Sequence, residues 1–168
     1  MPRLFTALEI PSTLALRISM LQSGLDGARW INSENFHITL RFVGDVDFSI
    51  ARELAYEFGR ITAAPFNLEL NRLDAFGNSK PHSLFVGIKQ SPPLLELKAK
   101  HERVCQKLGL LPDSRKFTPH VTIARVRGVK PQAIAHYLSN VGYFGGETFP
   151  VSRFVLLSSR DSVGGGPY

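Results

Sequence analysis

The sequence predicts an α+β chain built from two similar halves, and three observations carry that prediction. Segments rich in β-branched and aromatic residues alternate with segments whose apolar residues recur at helical spacing. The tetrapeptide His37-Ile38-Thr39-Leu40 returns as His120-Val121-Thr122-Ile123. The spacing around the two copies matches, since His37 precedes Phe66, and His120 precedes Phe149, by 29 residues. Five histidines and seven threonines would give about 0.2 His-x-Thr matches by chance, so two in strand-like surroundings indicate a repeat. The repeat predicts one domain over residues 1–168 with two pseudo-symmetric lobes, its His-x-Thr motifs at 37–40 and 120–123 facing one another. It leaves open whether strands are exchanged between the lobes.

The elements follow in order. Arg3 to Ile10 reads as a strand closed by Pro11, which also opens a helix carrying Leu14, Ile18, Leu21 and Leu25 and running out between Gly24 and Gly27. An extended piece at Arg29 to Ile31 and a turn through Asn32 to Asn35 lead into the strand Phe36 to Gly44. Asp47 or Ser49 caps a second helix with Ile50, Leu54 and Phe58 on one face. Phe66 to Leu73 alternates like a half-buried strand, and Asp74 to His82 is the loop that crosses between the halves. Ser83 to Lys89 is a strand, after which Ser91 caps a long helix ended by Gly109. His101 on that helix sits among Lys98, Lys100 and Glu102 and is expected to face water. The motif strand to Arg125, a short helix at Gln132 to Leu138 and a strand from Phe149 to Ser158 complete the second half.

A chain of 168 residues, 43% hydrophobic and 20% charged, has the composition of a soluble globular protein. Twenty Lys and Arg against fourteen Asp and Glu give a net charge of +6. The basic residues are scattered, which points to a folded surface or cleft that receives phosphates and away from a basic tail. The single cysteine, Cys105, excludes an internal disulfide and a cysteine zinc site, and reads as a buried structural thiol. No stretch has the length and apolarity of a signal peptide or a membrane span, so the expectation is a cytoplasmic protein without a membrane partner.

Alternation along a strand puts His37 with Thr39, and His120 with Thr122, on one face. Two imidazoles facing each other across a cleft suit proton transfer at phosphorus, one taking a proton while the other gives one, each typically worth about 10²–10⁴ in rate. The threonine hydroxyls suit the non-bridging phosphate oxygens. Arg125 falls on the opposite face by simple alternation, but lies at the strand's end, where a bulge or bend could turn it towards the same anion. No Asp, Glu or Cys stands at ligand spacing to either histidine, and no glycine-rich phosphate loop or Gly-x-Ser-x-Gly elbow is present, so neither a metal nor a nucleotide cofactor is expected.

These residues carry a resemblance. NFHITLRFVG (Asn35 to Gly44) and FTPHVTIAR (Phe117 to Arg125) resemble the paired motifs of the two-histidine phosphoesterase superfamily, and within it the LigT-like RNA 2′,3′-cyclic phosphodiesterases, also called 2′-5′ RNA ligases. Arg3-Leu4-Phe5 to Pro11, Arg29-Trp30-Ile31, the Phe76 to Pro81 loop and Ser158 to Tyr168 follow the same family's pattern. The resemblance implies a bilobal fold of two antiparallel sheets facing across a cleft with helices outside, working without metal or nucleotide. It implies hydrolysis of an RNA terminal 2′,3′-cyclic phosphate to the 2′-phosphomonoester, with reversible 2′-5′ ligation as a companion activity. His37 would be the proton donor to the leaving 3′ oxygen and His120 the acceptor that activates water, with Thr39, Thr122 and Arg125 on the phosphate. The partner would be an RNA end, met by a monomer. Phe117, Phe42 and Trp30 either stack a base or, more readily, belong to the core. The alternatives are a non-catalytic RNA-binding module, and a phosphodiesterase for small cyclic nucleotides or 2′-5′ oligonucleotides. Members of the family usually continue past Gly-Pro-Tyr into a final strand, so a short or unpaired sheet edge and poor order over Ser158 to Tyr168 are expected.

Overall fold

A computed structural model describes residues 1–159. Its elements are β1 (Arg3–Glu9), α1 (Ser12–Ser19), β2 (Ala28–Trp30), β3 (His37–Asp45), α2 (Phe48–Gly59), β4 (Phe66–Phe76), β5 (Ser83–Ile88), α3 (Pro92–Lys107), β6 (His120–Val126), α4 (Pro131–Val141), β7 (Thr148–Val151) and β8 (Val155–Ser159). A single 3₁₀ turn, Ser33–Asn35, delivers the chain into β3. The strands lie in the order β7-β4-β5-β6-β3-β1-β8, with β2 added beside β6, and every pairing is antiparallel.

The topology answers the question of exchange. β1 and β3 are completed by β8 from the end of the chain, while β5 and β6 are completed by β4 and β2 from its first half. Each half thus lends its closing strand to the other's sheet. The two sheets are joined along the histidine strands, where β3 and β6 pair at one position only, Ile38 with Val121. Both residues are fully buried, so the join is made by apolar side chains on the core face and leaves the opposite face to the polar ones. Helices cover the core side. Leu54 and Phe58 of α2 meet Cys105 of α3 over Leu4 and Val46, and Leu14 and Ile18 of α1 share the larger core with Ile134 and Tyr137 of α4. The Tyr137 hydroxyl donates to the Leu21 carbonyl at 2.5 Å, tying α4 to the chain that leaves α1.

Side-chain caps explain the starts of α2 and α3, and pairing partners explain where boundaries move. Asp47 accepts from the Ile50 amide at 2.8 Å and Ser91 from the Leu94 amide at 3.4 Å, each satisfying an orphan donor of a first turn. Helix α1 stops at Ser19, although Leu21 and Leu25 still pack on the core. Strand β4 runs three residues beyond Leu73 because β5 pairs it as far as Phe76 with Ser83. Gly77 then turns the chain at φ +99°, where a Cβ would stand 2.3 Å from the Lys80 carbonyl oxygen. The stretch predicted as one strand from Phe149 to Ser158 is two, since β7 pairs with β4 and β8 pairs with β1. Edge strand β8 is paired over all five of its residues; the expectations for residues 160–168 fall outside the described residues.

His101 does not face water. It is 0% exposed, its Nδ1 lies 2.8 Å from the Thr6 hydroxyl, and its ring packs against Phe58 and Phe154. Two of the three charged neighbours that suggested a solvated face are themselves turned inward to partners, Lys98 to Asp113 and Glu102 to Arg41. Burial, helped by the Lys98 charge, pulls the His101 pKa from 6.5 to about 4. The unfolded chain therefore binds a proton here that the folded chain refuses. The stability this protects is whole above pH 6.5 and is lost as pH falls towards 4, about 3 kcal/mol over the full window. Urea midpoints should drop between pH 7 and pH 5, and His101→Leu should flatten that slope, leaving the smaller part owed to His37 and His120. Equal slopes in the two proteins would acquit His101.

Candidate active site

Each His-x-Thr strand carries a bulge just past the motif, and the bulges decide which side chains share the histidine face. In β6, Phe85 lies opposite Thr122 and Leu84 opposite Ala124, so Ile123 has no partner. Ile123 and Ala124 both point into the core, at 0% exposure, and the phase of the strand is reset. Arg125 therefore comes out exposed on the same face as His120 and Thr122. In β3, Ala7 lies opposite Thr39 and Thr6 opposite Arg41, leaving Leu40 unmatched. Leu40 and Arg41 are both buried, and Phe42 emerges on the face of His37 and Thr39, 41% exposed. Arg125 and Phe42 hold the same place, five residues after the histidine, in the two lobes.

The two imidazoles are held alike. His37 Nδ1 is 2.8 Å from the Asn35 carbonyl and His120 Nδ1 is 2.7 Å from the Thr118 carbonyl, each two residues upstream. A carbonyl only accepts, so Nδ1 carries the proton of the neutral ring in both cases and Nε2 is the basic nitrogen. A phenylalanine from the neighbouring strand supports each ring. Phe5 lies 5.1 Å from His37, and Phe85 lies 5.5 Å from His120, which Phe76 also meets edge-on at 4.9 Å.

Burial is the main reason that both histidines sit below their ordinary 6.5; the carbonyl bonds oppose it, and the Arg125 charge adds to the lowering at each ring. The His120 charge also reaches His37. His37, His120 and Arg125 thus form one electrostatic unit, with Thr39 and Thr122 on the same strand faces. Removing the Arg125 charge should let both imidazoles rise. In Arg125→Gln, both limbs of the pH profile of kcat/KM should move to higher pH along with a weaker KM; limbs that stay in place would put Arg125 outside the site.

Beside this unit opens a cleft of about 380 Å³, lined by Thr39, Phe42, Phe76, Phe117 and His120, with Arg115 and Lys116 among its other residues. A buried brace sets the wall formed by residues 111–118. Arg41, turned inward by the β3 bulge and 5% exposed, donates to Glu102 at 2.6 Å and to the Leu111 carbonyl at 2.6 Å. Glu102 accepts the Asp113 amide at 3.0 Å, and Asp113 accepts from Arg115 at 3.2 Å and from Lys98 at 3.5 Å. Burial opposes ionisation of both acids, yet these bonds hold Glu102 below its usual range and Asp113 down at about 2.

The sequence did not show this brace; it offered Phe42 and Phe117 as base-stacking residues, but not that the bulge in β3 and the loop before β6 bring them together beside Phe76. One signal was present in the chain: the His-x-Thr-x-x spacing that reaches Arg125 also reaches Phe42. Phe42 is not a core residue; Phe117 is half-buried at the cleft, and Trp30 packs with Tyr137 in the core as expected. Among the described residues no three His, Cys, Asp or Glu side chains gather as a metal site, and no helix is long and apolar enough to cross a membrane.

Strand order and the paired His-x-Thr strands together define the two-histidine phosphoesterase fold. In structure the chain is similar to a protein described as a phosphoesterase, with a TM-score of 0.79 and 23% identity covering 97% of this chain and 91% of that one. It is also similar to Escherichia coli LigT complexed with 3′-AMP, with a TM-score of 0.75, 23% identity and the same coverage.

The chain belongs to the 2′-5′ RNA ligase superfamily, whose family model matches residues 10–162. Relatives named RNA 2′,3′-cyclic phosphodiesterase include those of Aeropyrum pernix, 34% identical over 117 residues, and Geobacillus stearothermophilus, 38% identical over 106. The matches take in 68% and 61% of this chain. They span 66% of the first relative's length and 34% of the second's.

Proposed function

We propose that this protein hydrolyses the 2′,3′-cyclic phosphate at the end of an RNA to a 2′-phosphomonoester, by paired-histidine acid–base catalysis without a metal or nucleotide cofactor. The observation that carries the reading is the matched pair of histidines, each with Nδ1 donated to the carbonyl two residues upstream and Nε2 left basic. His120 Nε2 takes a proton from water as the water oxygen bonds to phosphorus. The P–O3′ bond breaks, and protonated His37 gives its Nε2 proton to the departing 3′ oxygen. Thr39 and Thr122 hold the non-bridging oxygens, and Arg125 offsets the charge that builds on them. One turnover leaves His37 neutral and His120 protonated; exchange with solvent resets them. Membership of the family and the names of its relatives support the reaction class.

The reading extends to a single domain over residues 1–168 whose two lobes each supply one His-x-Thr strand, acting as a monomer in the cytoplasm. The same steps with an RNA 5′ hydroxyl in place of water, its oxygen bonding to phosphorus as the P–O3′ bond breaks, account for 2′-5′ ligation, and their reversal for cleavage of that joint. The test is turnover of an RNA ending in a 2′,3′-cyclic phosphate in the presence of excess chelator. Turnover should persist. Turnover abolished by the chelator and restored by a divalent ion would end the metal-free mechanism.

A further inference from the structure

We propose that the outer face of α2 and α3, on the side of the molecule away from the paired histidines, is a second binding surface for single-stranded RNA. It holds the body of a strand and takes no part in the reaction. RNA is named as the polyanion because of the cyclic phosphodiesterase reading above, on which that one choice rests; the surface itself is built from residues that the active site does not use.

The outward side of α2 is the first argument. The helix turns Ile50, Leu54 and Phe58 to the core, and at the same four-residue interval it presents Phe48, Arg52 and Tyr56 to solvent, with Arg60 at its cap. Phe48 is 70% exposed and Tyr56 66%. Single exposed apolar residues are ordinary, but here ring and guanidinium alternate, the composition that lets bases stack while cations meet phosphates. The Arg60 guanidinium carbon lies 5.8 Å from the centre of the Tyr56 ring, so ring and charge are already held together.

The neighbouring ridge of α3 is the second. Lys100, Arg103 and Lys107 recur at three- and four-residue steps and, with Ile61, Thr62 and Val104, line a groove of about 290 Å³. Lys100 donates to the Thr62 carbonyl at 2.7 Å and Lys107 pairs with Glu57 at 3.2 Å, which ties this ridge to the end of α2 before any ligand arrives. Glu57 is shared with Arg60 at 3.7 Å, so two cations answer the one carboxylate inside the surface. Asp47 is bound to the Ile50 amide, and Glu53 and Glu96 are exposed at the margins.

An anionic membrane would also draw these cations, and the arrangement of the apolar groups decides against it. A helix that lies in a bilayer surface turns a continuous apolar stripe outward. The stripe of α2 is packed in the core, and only two rings face out, eight residues and about 12 Å apart along the axis. Separate rings set among cations suit bases on a phosphate backbone.

The experiment measures, by fluorescence anisotropy, binding of a labelled single-stranded RNA ending in a 3′ hydroxyl, in excess nucleoside 2′-monophosphate to occupy the catalytic cleft. Binding should persist in the wild-type protein and weaken as salt rises. Tyr56→Ser should weaken it about five- to a hundredfold, the effect of losing one stacked base, and Phe48→Ser should act in the same range. The double variant Arg103→Gln, Lys107→Gln should weaken it about tenfold at low salt and flatten its salt dependence, while Arg103→Lys should bind like the wild type. A thermal melt shows that each variant is folded. Displacement of the RNA by the monophosphate, binding indifferent to all these changes, or binding to phosphatidylserine vesicles in place of RNA overturns the inference. Hydrolysis of a cyclic-phosphate dinucleotide by the wild-type protein is read separately, and its failure overturns the reading of function while the binding data still decide the surface.

Discussion

His120→Ala should lower kcat/KM on a cyclic-phosphate RNA by about 10²–10⁴, and His37→Ala by a similar factor. The double variant should fall little further than the worse single one, because the two imidazoles serve one proton-transfer cycle and the loss of either breaks it. Neither change should cost much stability, since both side chains lie on the cleft face of their strands and not among the fully buried apolar residues. The check is steady-state kinetics beside a thermal melt. Near-wild-type turnover in either variant would remove that histidine from the chemistry, and a collapsed melt would mean that the ring is holding the sheet.

The second large effect concerns stability. Arg41→Met should lower the free energy of unfolding by roughly 2–4 kcal/mol, somewhat below the full cost of orphaning one member of a wholly buried ion pair, because the Glu102 side chain keeps 19% exposure. The loss has two parts: Glu102 is left without its guanidinium, and the Leu111 carbonyl without its donor. Glu102→Gln should cost less, since one acceptor remains: its amide oxygen serves either Arg41 Nε, which Oε2 now takes, or the Asp113 amide, which Oε1 now takes. The depressed Glu102 carboxyl makes its share of this stability present above its unfolded value of 4.5 and lost as pH falls below it. Urea unfolding at pH 7 measures both variants, and an Arg41→Met protein within about 0.5 kcal/mol of the parent, the range of an ordinary surface change, would show that the brace carries nothing.

Arg41 also marks the limit of what the sequence could tell. Composition and alternation located His37, Thr39, His120 and Thr122, because a repeated tetrapeptide in two strand-like segments is a local pattern that needs no tertiary information. The faces of Arg125, Arg41 and Phe42 were not local in that sense. A one-residue bulge in each motif strand is set by the register of the neighbouring strand, β5 for one and β1 for the other, and it sends Arg125 and Phe42 to the face of the histidines and Arg41 to the core. His101 misled for a related reason: its neighbours Lys98 and Glu102 looked solvated, but their partners come from the loop before β6 and from β3, beyond the helix itself. Strand exchange was unreadable because alternation tells which face of a strand is buried and says nothing about which strand lies beside it.

The most direct measurement is the identity of the product made from an RNA with a 2′,3′-cyclic phosphate in excess chelator, read by phosphorus NMR. Protonation of the 3′ oxygen by His37 predicts the 2′-phosphomonoester alone. A 3′-phosphomonoester, or a mixture of the two, would contradict the assignment of His37 as proton donor to the 3′ oxygen.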